Sequence, residues 1–409
     1  MKLSRFLFRF IVLIGILWDA QAWFTWSWSS GMAKYVYLIS SVLISFWYVS
    51  RNKIRLCHNK NLGIAFFCYL VGLIFTRPHG LMFLIGFVCK IIPFWVIVSD
   101  KDNVESHISF VTKAFSSILI PGILIFLFVI ASSIPGFPVI NGEDLYFNYV
   151  FCVVKVTGAD NIYRFQSVLS EPGFLGCLTA FLLFADKFDL KRWQNFVMLI
   201  GLILSFSLAV WVLAALGYVI ILVNKKKSIV RLIYIAIFAF ITVIFFKNYN
   251  LGNNKVNELI LSRLESDDEK SIAGNNRFTK TTDLYYEQAL RSGDLFFGLG
   301  SEQIDKINGG GIDNDSYHDS IAGAGYKVYF LTNGIISALF FFLFYYFIYK
   351  TIKPSKRYGR GFMLLVALNF IQAADPFFMW WIYSFIMGLN KDALFLSNNN
   401  QKKNYLLQN

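Results

Sequence analysis

Three stretches of the chain carry residues whose types and spacing suit gripping an anionic group and moving a proton. The first is Arg164-Phe165-Gln166-Ser167-Val168-Leu169-Ser170-Glu171-Pro172-Gly173, which sets an arginine and a carboxylate on either side of two serines, just before an apolar run. Pro172 suits the first turn of a helix, where a missing N–H costs nothing. A charged side chain costs roughly 2.5 to 3.5 kcal/mol at the centre of a membrane and less near its surface, so Glu171 needs a polar setting. Two readings stand side by side. Either Ser170 caps the helix and Glu171 complements its dipole, or Arg164 also faces the same cavity and holds an anion there.

In the second stretch, Arg277 is followed by Lys280, Arg291, Gly293 and the apolar Phe296-Phe297-Gly298-Leu299-Gly300. The spacing from Tyr285 through Leu295 predicts an amphipathic helix that lies on a membrane surface or caps a cavity. Arginine's planar fork binds phosphate oxygens bidentately, each charge-assisted bond contributing about 1.5 to 3 kcal/mol. Two arginines from two loops, Arg164 and Arg277, can therefore hold a pyrophosphate without a metal, and Arg291 is a third basic candidate. A loop arginine is otherwise simply solvated.

The third stretch is Tyr317-His318-Asp319, flanked by Gly309-Gly310-Gly311 and Gly323-Ala324-Gly325. A histidine titrates near neutrality and can take a proton from a hydroxyl nucleophile. The glycines mark either a mobile lid or a plain loop. Asp19, Lys90 and Asp375 stand in or at the ends of apolar runs, where an ionisable group is by default a functional candidate; Asp375 before Pro376 also reads as a turn at the surface.

The elements that position these residues are almost all apolar. Of 409 residues 56% are hydrophobic, 44 are Phe and only 15% are charged, which points to an all-α polytopic membrane protein rather than to soluble domains. With about 20 apolar residues needed to span the hydrocarbon, helices are expected near 6–24, 35–50, 62–76, 80–98, 110–133, 168–185, 195–207, 208–223, 232–246, 326–349, 361–374 and 376–389. That makes about twelve transmembrane helices in a single domain, residues 1–389. Ser205-Phe206-Ser207 and Asp375-Pro376 break two long apolar runs into short pairs.

The basic residues orient this array. Lys2, Arg5, Arg9, the cluster from Arg51 to Lys60, Lys101, Lys113, Lys187 to Arg192, Lys225 to Arg231, Lys350 to Arg360, Lys391, Lys402 and Lys403 fall on one side. By the positive-inside rule that side, with both termini, is cytoplasmic. Two large loops, about 134–167 and 247–325, then face outward, into the periplasm if the membrane is a bacterial inner membrane. The tail 390–409, rich in Asn, Gln and Lys, is expected to be disordered in the cytoplasm. Ala20-Gln21-Ala22 resembles a signal-peptidase site, but the first helix is expected to stay uncleaved. Short basic clusters between apolar runs give no stripe for nucleic acid. Five cysteines without CxxC spacing give no disulfide framework or zinc site.

These residues carry a resemblance to the O-antigen polymerases of the Wzy type, within the wider superfamily that includes the O-antigen ligases. Its carriers are Arg164-x-x-Ser167 with Glu171-Pro172, the Ser205-Phe206-Ser207 break, Arg277 ahead of Phe297-Gly298-Leu299-Gly300, and Asn333-Gly334-Ile335-Ile336. Arg277 also stands sixteen residues before Gly293, a spacing found in some members, whereas the residue sixteen after Arg164 is Ala180. The resemblance implies an inverting, metal-independent glycosyltransferase of the GT-C type, without cofactor, acting at the periplasmic face. The growing glycan on undecaprenyl pyrophosphate would be the donor, and the non-reducing sugar of a new lipid-linked repeat unit the acceptor. Arg164 and Arg277 match the family's periplasmic arginines that bind the departing pyrophosphate. His318 is the implied general base, with Glu171 or Asp319 as the next candidates. His318 stands farther from Gly334 than the corresponding histidine of the ligases, which favours a polymerase. A chain-length-regulating co-polymerase and a flippase are the implied partners. Attachment of glycan to lipid A-core by a ligase, and a non-catalytic flippase or exporter of lipid-linked glycan, are the alternatives.

Overall fold

The computed structural model describes residues 2–28, 32–56, 60–75, 91–132, 136–141, 144–156, 164–223, 248, 280–309, 325–372, 386–391 and 393. They form two compact units: one from the described parts of Met1–Leu56, Cys89–Ser262 and Met379–Asn409, the other from those of Cys57–Val88 and Arg263–Phe378. Both are built mainly of apolar helices. Among the described residues, Met32–Asn52, Lys101–Val129 and Tyr326–Ile352 are long and apolar enough to cross a membrane, and five further apolar helices are shorter. The expected spans 232–246 and most of 80–98 and 376–389 lie outside the described residues.

The first unit begins with α1 (Lys2–Asp19), which buries Phe8, Val12, Leu13, Ile16 and Leu17 and exposes Leu3, Phe6 and Phe10, an apolar stripe at helical spacing. It ends five residues before the expected 24. Gln21 takes a left-handed φ of 52°, Gln21 N donates to the Trp18 carbonyl and Ala22 N to the Leu17 carbonyl, the paired closing bonds of a Schellman cap. A short 3-10 turn, Trp23–Trp28, follows. α2 (Met32–Asn52) packs on α1, where the Tyr37 hydroxyl donates to the Ile11 carbonyl at 3.0 Å. A helix α4 at 91–99 leads through Asp100 into α5 (Val104–Ser132), which carries Pro121 within it.

The loop expected at 134–167 contains a three-stranded antiparallel sheet, β1 (Phe137–Asn141), β2 (Asp144–Asn148) and β3 (Val153–Lys155), in the order β1-β2-β3. The fold is thus predominantly helical, as expected, with one small sheet in this loop that was not expected from sequence. Val139, Ile140, Tyr146, Phe147, Val153 and Val154 are residues that fit a pleated, half-buried surface, and strands this short escape a ruler set for spans. α6 (Pro172–Ala185) starts four residues later than expected, because Pro172 holds Glu171 extended at φ −141°, ψ 145°. α7 (Trp193–Leu204) and α8 (Leu208–Val223) are separated at Ser205-Phe206-Ser207 as expected, with Phe206 at φ 45°. Gly176 lets α6 close on Val210 of α8. Asn390 and Lys391, assigned to the tail from sequence, belong instead to a short helix at 386–391, where Asn390 donates to the Ile97 carbonyl.

In the second unit, α3 (Lys60–Phe75) packs along α11 (Tyr326–Ile352). Ser337 Oγ donates to the Gly72 carbonyl at 3.2 Å, and Tyr69 meets the rings of Phe341 and Phe344. α12 (Lys356–Gln372) returns alongside α11, Gly359 allowing close contact with Tyr349. The amphipathic helix expected from Tyr285 is α9 (Lys280–Ser292), followed by the 3-10 turn Asp294–Phe296 and by α10 (Ser301–Gly309).

Candidate substrate-handling residues

In the first unit, the segment 164–171 is tied to four elements by backbone bonds. Trp23 N donates to the Val168 carbonyl, Ser170 N to the Gln21 carbonyl, Val153 N to the Ser167 carbonyl and Phe165 N to the Leu204 carbonyl. Arg164 Nε donates to the Ser205 carbonyl at 3.1 Å. A helix end leaves its last carbonyls without intrahelical donors; here Phe165 and Arg164 supply two of them, and the guanidinium sits where the helix dipole is negative. Gly122 of α5 makes room, since a Cβ there would lie 2.7 Å from the Phe151 carbonyl oxygen and 3.1 Å from Ser167 Oγ. Arg164 is half-buried and Glu171 exposed.

Ser170 is not the helix cap. Its hydroxyl donates to Gln21 Oε1 at 3.0 Å, and Glu171 occupies the cap position without a side-chain cap bond. Gln21 thus serves both α1's end and this segment, a use that its peptidase-like neighbours Ala20 and Ala22 did not suggest. Among the described residues the buried Gln166 amide nitrogen has no hydrogen-bond partner. Cys152, fully buried in the adjoining loop, has its thiol pushed up to about 12 by burial, which disfavours the thiolate form.

In the second unit the structure joins two sequence motifs. α11 is broken at Gly334, φ 82° and ψ 162°, and Phe297-Gly298-Leu299-Gly300 docks into the break. Leu299 N donates to the Leu331 carbonyl at 2.6 Å and Gly300 N to the Thr332 carbonyl at 3.0 Å. These carbonyls lose helical partners at the kink, and the loop replaces them. Ala289, Leu295, Ile304 and Leu331 form the small core that holds α9, α10 and the first turns of α11 together. Lys327 reaches Asp283 at 2.7 Å and lies 5.5 Å from the Tyr286 ring centre. Burial raises the Tyr286 phenol above its ordinary value, Tyr326 adds to the rise and Lys327 opposes it. Arg291 projects to solvent, 83% exposed, 3.8 Å from Glu287. Arg277, His318 and Asp319 lie outside the described residues, as do Lys90 and Asp375.

Two polar clusters in the first unit were not singled out from sequence. Asp100 accepts from Tyr48, from His107 Nε2 at 2.8 Å and from Asn103 at 2.8 Å. Arg9 Nε donates to His107 Nδ1 at 3.3 Å. Arginine has no acceptor, so Nδ1 must offer a lone pair, the proton sits on Nε2, and His107 is neutral and donates to Asp100. Burial alone would raise the Asp100 pKa, but the bonds from His107, Tyr48 and Asn103 outweigh it and hold the carboxyl below the usual range. The second cluster centres on buried Asp186, which accepts two bonds from Arg192 NH1 and one each from Asn195 and Lys391. Among the described residues no three His, Cys, Asp or Glu side chains converge so as to hold a metal ion.

No family model, curated protein or solved structure matches the chain.

Proposed function

We propose that the protein is a membrane glycosyltransferase that polymerises lipid-linked polysaccharide repeat units on the outer face of a bacterial inner membrane, with about twelve spans and a GT-C-like arrangement. In this reaction the acceptor hydroxyl of a new repeat unit attacks the anomeric carbon of the growing glycan. The bond to undecaprenyl pyrophosphate breaks with inversion, the proton passes to a general base, and the pyrophosphate departs with its developing charge met by arginine. Arg164 is the described residue suited to that task, and exposed Glu171 at the start of α6 is the described candidate for the base. Arg277, His318 and Asp319 take their roles from the sequence resemblance alone.

One observation carries this reading. The motifs behind the resemblance are structural partners within each unit: Arg164 bonds the Ser205 carbonyl, and Leu299 and Gly300 bond the Leu331 and Thr332 carbonyls beside the Gly334 break. Short, degenerate motifs brought together by chance would not be expected to pair in this way.

Deleting the gene in its host and resolving the surface polysaccharide by gel tests the proposal. The expected outcome is loss of the long ladder with core plus one repeat unit retained. Loss of every unit from the core would point to a ligase, and an unaltered pattern would remove both.

A further inference from the structure

In the first unit a cavity of ≈ 710 Å³ opens between the first turns of α5 and the start of α7. Its charged lining is Glu105, Lys113, Lys191 and Arg192. Arg192 is held by Asp186 at 3.0 Å and Asp189 at 3.2 Å, and Glu105 lies 3.5 Å from Lys391, so these side chains are largely balanced. Lys113 and Lys191 are exposed, and among the described residues neither ammonium group has a partner.

Two further features draw an anion. Gln194 lines the cavity and is 4% exposed, yet among the described residues nothing hydrogen-bonds its side-chain amide. It is the second residue of the 12-residue α7, whose cap residue Arg192 makes no side-chain cap bond; Asn195 N and Phe196 N donate to the Arg192 carbonyl, so among the described residues the Trp193 and Gln194 N–H groups are left for an external acceptor. A cation is disfavoured by the two uncompensated lysines.

The flanks indicate what bears the anion. Leu190 is 44%, Trp193 48% and Phe196 54% exposed; Trp193 also lines the cavity, and α7 continues as an apolar helix. An exposed tryptophan beside lysines, where an apolar helix starts, is the composition of a membrane–water interface, and basic pockets between membrane helices hold lipid head groups.

We propose that this cavity binds the phosphate of an anionic phospholipid, with Lys113 and Lys191 as its ion partners and the Gln194 amide and the α7 N–H groups as hydrogen-bond donors. The lipid would fasten α5 to the α6–α7 turn, independently of any glycosyl transfer.

The test uses full-length protein, delipidated in detergent, titrated with phosphatidylglycerol, phosphatidylcholine or inorganic phosphate at constant ionic strength and followed by thermal unfolding and native mass spectrometry. Phosphatidylglycerol is expected to raise the melting temperature and to remain bound, and the other two are not. In Lys113→Gln/Lys191→Gln, whose lipid-free melting should match the parent because both side chains are exposed, apparent affinity for phosphatidylglycerol should fall on the order of tenfold or more. Lys350→Gln/Lys353→Gln removes equal charge elsewhere and should bind as the parent does. Equal binding by the cavity variant and the parent would overturn the proposal. An equal loss in the control variant would do the same, and an equal effect of inorganic phosphate would overturn the lipid as its source.

Discussion

Gly298 and Gly334 touch backbone to backbone. A Cβ added to Gly298 would lie 2.6 Å from Gly334 N, and one added to Gly334 would lie 2.8 Å from Gly298 N. Both residues have positive φ, 75° and 82°, and the Gly334 pair of angles falls in a region that only glycine enters readily. The loop after α9 and the break in α11 are thus one feature, closed by the two bonds from Leu299 and Gly300.

Alanine at either position is expected to destabilise the second unit strongly. Backbone strain of about 1 to 3 kcal/mol adds to a steric penalty of similar size, because the neighbours are backbone atoms that cannot rotate away. Thermal unfolding in detergent should show a large drop for Gly298→Ala and Gly334→Ala. Gly63→Ala is the contrast: nothing lies within 4 Å of the added Cβ, and in a helix the change should gain about 0.5 to 1 kcal/mol. Parent-like melting of Gly334→Ala would mean that α11 is not held by this contact.

Asp186 offers a second test. Its side chain is wholly buried beside Arg192 and Lys391, and removing one partner of such a group costs about 3 to 5 kcal/mol. Asp186→Asn keeps the shape and removes the charge, so it should lower the melting temperature markedly. Asp186→Asn/Lys391→Met should recover part of that loss, since a largely buried cation that has lost its nearer carboxylate, and keeps only Glu105 at 3.5 Å, goes with it. A double variant less stable than the sum of the two single changes would show that Lys391 supports the fold by another route.

The pH dependence of stability should carry a signature of Asp100. Its folded pKa is depressed from 3.8, so the folded state releases this proton more readily than the unfolded chain. The resulting stability is fully present above the unfolded value of about 3.9 and is lost as pH falls through the lower folded value. As pH falls below about 4 and through the lower folded value, the parent should lose more melting temperature than Asp100→Asn. Tyr48→Phe removes one donor and should shift the parent's loss to higher pH. Superimposable profiles for parent and Asp100→Asn would show that the carboxyl contributes nothing to acid sensitivity.

Helices were legible wherever an apolar run was long enough to measure. α2, α3, α8 and α11 lie within a few residues of their expected bounds, and the Ser205-Phe206-Ser207 break falls where expected. Ends set by tertiary bonds were not legible: α1 stops at Asp19 because Gln21 turns left-handed to meet Ser170, 149 residues away. The sheet left one readable signal, Asn141-Gly142 between two short β-prone runs, which a search for spans passes over. The Asp100 cluster gathers Arg9, Tyr48 and His107 from three helices, and no local pattern announces it. Arg9 and Lys391 were read only as orienting charges, although one bonds His107 and the other Asp186. Gly334 showed in the sequence only as part of a motif; its fit against Gly298 needed the folded chain.

Arg164 separates the functional reading from a structural one. Its guanidinium bonds the Ser205 carbonyl, and a charged hydrogen bond of that kind contributes about 1.5 to 3 kcal/mol, so Arg164→Ala should cost some stability whatever the protein does. If the arginine also meets a departing pyrophosphate, Arg164→Ala abolishes the polysaccharide ladder while protein remains in the membrane at its normal level. Arg164→Lys then restores a point charge but not the planar fork, and at most a residual ladder is expected. The decisive measurement pairs the ladder with melting temperature in the same variants. A ladder lost while most of the stability is kept supports a role toward substrate. A full ladder from Arg164→Ala would leave Arg164 as no more than the staple that holds its segment to the end of α7.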